Sequence, residues 1–197
     1  MTEYVQAPEQ DVVISSRVRL SRNYDDLPFS PKLTKEYAEE VVERTADVVF
    51  SGVNGNAFTL LRMSELEQDA RSRLVEHHYI SYDLLKYVQR SAAMVSSAGT
   101  VTVMLNEEDH VRFQGLLPGL QLERAAEMAL NLDEAVGEKY PFAFDSQLGF
   151  LTACPANTGT GMRCSVVLHL PALAAGGQMG AVMQAVAKLG LTIRGLY

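Results

Sequence analysis

Residues 106–112 read Asn-Glu-Glu-Asp-His-Val-Arg and follow the apolar, strand-like run Val101–Leu105. A carboxylate at a strand end can take a proton as a general base, grip a cationic group, or share Mg²⁺ with phosphates. It can also be no more than a charged turn. Strand alternation aims Glu107 and Asp109 one way and Glu108 the other. Arg112, close behind, can grip an anion.

Two further groups invite chemistry. Arg17 and Arg19 share one face of a strand-like run, with Arg22 behind them. Guanidinium groups set this way form planar forks that match phosphate oxygens bidentately; the plainer alternative is a solvated strand face. The second group is the glycine-rich stretch from Cys154 to Arg163. Glycines and small polar residues let backbone N–H groups approach an anion closely. Arg163 adds a fork, and the Cys154 thiolate could sit near a cation. An ordinary turn beside a buried free cysteine explains the same residues. Neither a Walker A pattern nor Gly-x-Gly-x-x-Gly occurs, so a nucleotide would be held by arginines and not by a P-loop. His78 and His110 are weaker signals, since histidines in such settings more often serve structure.

Elements must carry these groups. Residues 11–20 read as a strand with Val18 and Leu20 inward and Arg17 and Arg19 outward. A helix is expected from Thr34, with Tyr37, Val41, Thr45 and Val48 in register, then a turn over residues 52–56. Ser64 and Glu67 form a capping-box signal ahead of Leu66, Ala70 and Leu74. A short helix is expected over residues 81–89, a strand over 100–105, and Pro118-Gly119 in a loop. Residues 120–138 give the clearest helix, with Leu122, Ala126, Ala129, Leu132 and Val136 periodic. Strands are expected over 148–152 and 165–170, a helix over 178–189 stopped by Gly190, and a last strand from Leu191 to Arg194. Hairpin-like connections outnumber regular βαβ spacing. The fold class expected is α+β, a largely antiparallel sheet with helices on one side.

Composition sets outer bounds. The 197 residues suffice for one domain with a sizeable core, and 47% hydrophobic content argues against disorder. No apolar run approaches the roughly 18 residues of a membrane span. The polar, acidic start does not resemble a secretory signal, so a cytoplasmic location is expected. A net charge of −7 argues against direct nucleic-acid binding, while the local arginine cluster suits a small anion. Cys154 and Cys164 are expected to stay reduced, and no Cys/His set has zinc spacing.

In order along the chain, Ser15-Ser16-Arg17-Val18-Arg19, Asn106 through Arg112, and Gly149-Phe150-Leu151-Thr152-Ala153-Cys154-Pro155-Ala156-Asn157 through Arg163 resemble the ATP:guanidino phosphotransferases. The resemblance runs from about residue 11 to the end. Residues 114–122 and His169-Leu170-Pro171-Ala172-Leu173 are similar to the bacterial branch that phosphorylates protein arginines. The resemblance implies a guanidino kinase catalytic-domain fold, like that of glutamine synthetase, spanning residues 1–197. It implies transfer of the ATP γ-phosphate with Mg²⁺. It assigns Arg17, Arg19, Arg112, Arg163 and Arg194 to the phosphates, and His78 to the nucleotide. It assigns Glu108, with Glu107 beside it, to the acceptor guanidinium, and Cys154 to the reactive-site cysteine. No metal ligand from the chain is assigned.

The implied partners are arginine-bearing proteins, an activating adaptor, Clp protease components and a second copy in a homodimer; no membrane is implied. Only fourteen residues precede Ser15, too few for the helical N-terminal domain of the arginine and creatine kinases. The family's Gly-Glu loop, source of a second substrate carboxylate, and a C-terminal helical domain are expected to be absent, leaving the domain incomplete at its C-terminal end. Cys164 stands where a small residue is usual, which could perturb the packing beneath Arg163. Two alternatives stay open: a kinase for a small guanidino compound such as free arginine, and a catalytically incomplete module that binds nucleotide or phosphoarginine.

Overall fold

The computed structural model describes residues 7–52 and 58–194. In chain order the elements are β1 (Val13–Arg22), α1 (Lys35–Gly52), β2 (Phe58–Arg62), α2 (Gln68–Glu76), β3 (Ala92–Ser96), β4 (Val101–Leu105) and β5 (Val111–Pro118). They continue as α3 (Leu122–Lys139), β6 (Phe144–Asp145), β7 (Gly149–Phe150), β8 (Met162–Leu168), α4 (Pro171–Ala175) and α5 (Met179–Lys188). Six strands form one antiparallel sheet in the order β2-β3-β4-β5-β1-β8, and β6 pairs with β7 in a small separate ribbon. The α+β antiparallel expectation holds.

One sheet face carries the main core. Leu20, Met94, Val103 and Phe113 from the strands meet Val41 and Val48 of α1 and Ala129, Leu132 and Val136 of α3. These helix positions recur at three- and four-residue spacing, so each helix buries one stripe. Tyr37, also in register, is exposed at the start of α1. Gly115 permits the close contact of β5 with α3: a Cβ there would lie 2.1 Å from the Ala125 carbonyl oxygen.

Helical segments are not confined to that side. On the opposite face, Ala93 of β3 and Met104 of β4 pack against Met63, Ile80 and Leu84, with Leu66 and Leu74 of the α2 region around them. Only the β2-β3-β4 half is covered in this way. The β5-β1-β8 half carries Arg112, Arg17, Arg19 and Arg163 instead.

Arg22 is the last residue of β1 and points into the core side. It is buried and forms a two-point ion pair with Asp133 of α3, Nε to Oδ1 and Nη2 to Oδ2 both at 2.8 Å. Its guanidinium also lies 3.6 Å from the Phe150 ring centroid and donates to the Ser21 and Thr160 carbonyls. Arg22 is therefore a structural tie and stands apart from Arg17 and Arg19. Asp133→Ala strands a buried cation, which typically costs about 3–5 kcal/mol. Denaturant unfolding should register that loss, and the apolar double replacement Arg22→Met/Asp133→Leu should recover much of it.

Several local expectations shift. The turn over residues 52–56 lies outside the described residues apart from Gly52, which ends α1. The Ser64/Glu67 capping box does not form: α2 starts at Gln68, Glu67 takes the N-cap position without a side-chain bond, and Ser64 sits in a 3-10 turn. Met63 is fully buried and donates its N–H to the Ser91 carbonyl, which holds Ser64 beside the sheet and delays the helix. The helix expected over 81–89 is a 3-10 helix, Tyr82–Tyr87, capped by the Ser81 hydroxyl. The strand over 148–152 shrinks to Gly149–Phe150, because Leu151 bonds Ala143 and the Thr152 hydroxyl bonds the Cys154 carbonyl. The strand expected over 165–170 runs from Met162 to Leu168, and the helix expected over 178–189 is Met179–Lys188. Leu191–Arg194 is exposed and irregular, not a strand, with no ladder partner among the described residues. Cys164 faces the side opposite Arg163 and is exposed, so it does not press on packing beneath that arginine.

Candidate active site

The acidic segment is a tight loop between β4 and β5. Asn106 takes a left-handed conformation (φ +59°) that asparagine tolerates, and its N–H closes the loop on the His110 carbonyl at 2.8 Å. Its side-chain amide donates to the Ala38 and Arg90 carbonyls. His110 is buried and accepts the Tyr24 N–H on Nδ1 (3.1 Å), which leaves Nε2 as the donor to the Pro28 carbonyl (3.0 Å). Burial lowers its basicity, so it is a neutral anchor. Asp109 is buried too. Its Oδ1 accepts from the Asn23 amide and from the Ala153 N–H, both at 2.7 Å, which ties the residue before Cys154 to the acidic loop.

The three acids separate by environment. Glu107 is 1% exposed, accepts a hydrogen bond from the Ser81 hydroxyl and pairs with Arg112 Nη1. Glu108 turns outward, its side chain 46% exposed, with Oε2 3.6 Å from Arg112 Nη2. Partial burial and then the neighbouring Asp109 charge push the Glu108 carboxyl above the ordinary carboxylate range. Glu108 and Ala153 line an open groove of about 730 Å³, together with residues of the Tyr82–Tyr87 helix and Arg90.

Strand register assembles the arginines. Arg19 of β1 stands directly opposite Arg163 of β8, and Arg17 opposite Ser165. On the other side Arg19 faces Gln114 of β5, and Ser21 faces Arg112. Arg17, Arg19, Arg112 and Arg163 thus share one face. Burial pulls the Arg19 guanidinium below its usual range, and Arg17, Arg112 and Arg163 pull it further. Arg17 is lowered by burial, then by Arg163 and Arg112. Among the described residues, only Arg112 of the four pairs with a carboxylate. Arg17, Arg19 and Arg112 are half-buried and Arg163 is exposed; crowded cations with so little compensation are costly unless an anion joins them.

His78 closes α2 in the left-handed position (φ +59°) usually given to glycine. Its carbonyl accepts from the Gln114 amide at 2.9 Å, which docks it beside the arginine face. Gly161 (φ +62°) makes the turn into β8; a Cβ there would lie 2.5 Å from Arg22 Nη1 and 2.6 Å from the Ser21 carbonyl oxygen. Cys154 precedes a 3-10 turn, Pro155–Asn157, and is half-buried. Arg194 is exposed, in the irregular stretch after α5.

Sequence reasoning missed Ser81, Gln114, Lys86 and Arg90 as parts of this region. The alternation of Val111, Phe113 and Leu117 against Arg112, Gln114 and Leu116 was the available signal for β5, obscured by Gly115 and Pro118.

A carboxylate thus stands beside a cluster of guanidiniums on an open antiparallel sheet, an arrangement that can hold an anion next to a cationic group. The chain belongs to the ATP:guanido phosphotransferase family, whose C-terminal catalytic domain matches residues 40–197. Within that family it is similar to the protein-arginine kinase of Caldanaerobacter subterraneus subsp. tengcongensis, 41% identical over 191 residues. That match covers 96% of this chain and 57% of the relative. The protein-arginine kinase of Halothermothrix orenii is 43% identical over 192 residues, covering 98% of this chain and 55% of the relative. The chain thus spans a little over half the length of these curated relatives. A duplicated taurocyamine kinase from Schistosoma mansoni, bound to transition-state-analogue components, superposes with a TM-score of 0.84 at 26% identity. It covers 94% of this chain and 27% of that one. A lombricine kinase shares the fold, with a TM-score of 0.77 at 22% identity over 91% of this chain and 54% of that one. No helix among the described residues is long and apolar enough to cross a membrane.

Proposed function

We propose that this chain carries the catalytic domain of a protein arginine kinase, which moves the ATP γ-phosphate to guanidinium groups of protein substrates. The observation that carries the proposal is the place of Arg112. It belongs to the arginine face and also touches the acidic loop, with Glu108 3.6 Å from one nitrogen and Glu107 paired to the other. Donor phosphate and acceptor guanidinium would therefore meet at its two ends. The protein-arginine kinases among the relatives favour a protein acceptor.

In this proposal Arg17, Arg19, Arg112 and Arg163 hold the phosphates, with His78 at the nucleotide and Arg194 as a further candidate. A guanidinium has a pKa of roughly 12.5–13.8 and is a poor nucleophile while protonated. Glu108 orients one of its nitrogens and accepts the proton as the N–P bond forms and the bond to ADP breaks. Glu107 fixes Arg112, and Cys154 helps orient the acceptor electrostatically. Phosphoryl transfer is mainly positioning and charge neutralisation, which these groups suit.

Mg²⁺ would neutralise phosphate charge. No three His, Cys, Asp or Glu among the described residues converge as a metal cage. Asp109 Oδ2 is buried without a hydrogen-bond partner. That donor set suits a cation carried in on the phosphates, as Mg²⁺ commonly is. The family resemblance also supports an activating adaptor, Clp protease components and a homodimer as partners, and a cytoplasmic location.

Incubation with ATP, Mg²⁺ and an arginine-rich protein should yield acid-labile phosphoarginine by mass spectrometry under non-acidic conditions. Phosphorylation of free arginine with the protein left unmodified would replace the proposal with a small-guanidino kinase. ATP binding without any transfer would select a binding module.

A further inference from the structure

The groove beside Glu108 has more room and more charge than one guanidinium needs. Its volume of about 730 Å³ lies within the roughly 300–1,000 Å³ of pockets that enclose whole small ligands. Among the described residues, Glu108 is the one carboxylate in its lining, and Lys86 and Arg90 are its two cations. A groove with an acid at one place and bases at another fits a ligand of the opposite pattern.

The two cations differ in how they are held. Arg90 donates to the Ser30 and Leu33 carbonyls and to the Ser30 hydroxyl, and its guanidinium lies 4.5 Å from the Tyr87 ring centroid. Its Nε is buried without a hydrogen-bond partner, and no carboxylate pairs with it among the described residues. Its charge is therefore fixed in the groove wall with no carboxylate partner among the described residues. Lys86 is held only at the surface. Its side chain is 62% exposed, and its one ion-pair partner, Asp83 at 2.6 Å, is 63% exposed. Such surface pairs contribute little and exchange readily. A carboxylate arriving in the groove can take Lys86 from Asp83 and meet the field of Arg90.

We infer that the groove selects acceptor arginines that carry an acidic residue within a few positions, with Glu108 taking the guanidinium and Lys86 taking the neighbouring carboxylate. The inference rests on the protein-kinase proposal above and deepens it. It assigns Lys86 to substrate choice and gives it no part in phosphoryl transfer. Because the contact is exposed, the preference should weaken as salt rises.

Two fluorescein-labelled peptides with one arginine each, flanked by aspartates or by lysines, would test this on the full chain with ADP present. The aspartate peptide should bind about tenfold tighter by fluorescence anisotropy at low salt, and should also be the better substrate with ATP. Lys86→Glu should erase or reverse that order while ADP affinity stays unchanged. Equal binding of the two peptides, or a preference that survives Lys86→Glu, would overturn the inference. Discrimination in binding with no phosphoarginine from either peptide would support the groove assignment and count against the kinase proposal instead.

Discussion

Glu108→Gln should lower turnover by roughly 10²–10⁴-fold, the usual contribution of a positioned general base. ATP affinity should change little, because Glu108 faces the groove while the arginine face lies beyond Arg112. Glutamine keeps the shape and can still contact the acceptor, but it cannot take its proton. The pH profile carries a second test. The carboxyl is raised by burial and by Asp109, and it works as a base only when ionised. Transfer should therefore fall as pH drops through its raised pKa, at higher pH than an ordinary glutamate would require. Asp109→Asn keeps an oxygen for Asn23 and Ala153 but removes the charge, so that acid limb should move to lower pH. Unchanged turnover in Glu108→Gln would remove the base assignment.

Arg163→Ala should act in opposite directions on the empty and the loaded protein. Arg163 and Arg19 stand directly opposite on neighbouring antiparallel strands. Like charges so placed destabilise a sheet. Removing one should raise the melting temperature of the nucleotide-free protein. The same change deletes a charge-assisted phosphate contact worth about 1.5–3 kcal/mol. ATP affinity should then fall roughly ten- to a hundredfold. Since a ligand stabilises by mass action, the ATP-induced rise in melting temperature should shrink as well. Thermal unfolding with and without ATP reads both effects. A variant with lower nucleotide-free stability and undiminished ATP affinity would show that Arg163 serves the sheet and not a phosphate.

The two charge clusters behave differently for a physical reason. Arg22 and Asp133 neutralise each other inside the core, so their charges are spent on the fold. Arg17, Arg19 and Arg163 have no such partner among the described residues. All four arginines of β1 and β8 look alike as residue types. Strand alternation sends Arg22 to the helix side and the other three to the open side. That parity was available from the spacing, because 22 differs from 17 and 19 by odd steps. What Arg22 would meet on the helix side was not.

Local signals were strong where one element decided the outcome. The alternation in β1 and the 3.6-residue period in α3 depend on one buried face each, and both are plain in the chain. Elements shaped by distant neighbours were not legible. The capping-box residues Ser64 and Glu67 lost to the burial of Met63 against β3 and β4, and β5 was hidden because Gly115 answers to α3, ten residues further on. The order and types of the arginines, the acids and Cys154 were enough to carry the resemblance to the ATP:guanidino phosphotransferases. Only the tertiary structure decided how the three acids divide. Hydrogen bonds from Asn23, Ala153 and Ser81 and the pairing with Arg112 draw Asp109 and Glu107 inward, while Glu108 keeps its carboxylate toward the groove. Three adjacent carboxylates are chemically near-identical as sequence, and the partners that separate them come from the residue after β1, the Cys154 loop, the 3-10 helix cap and β5.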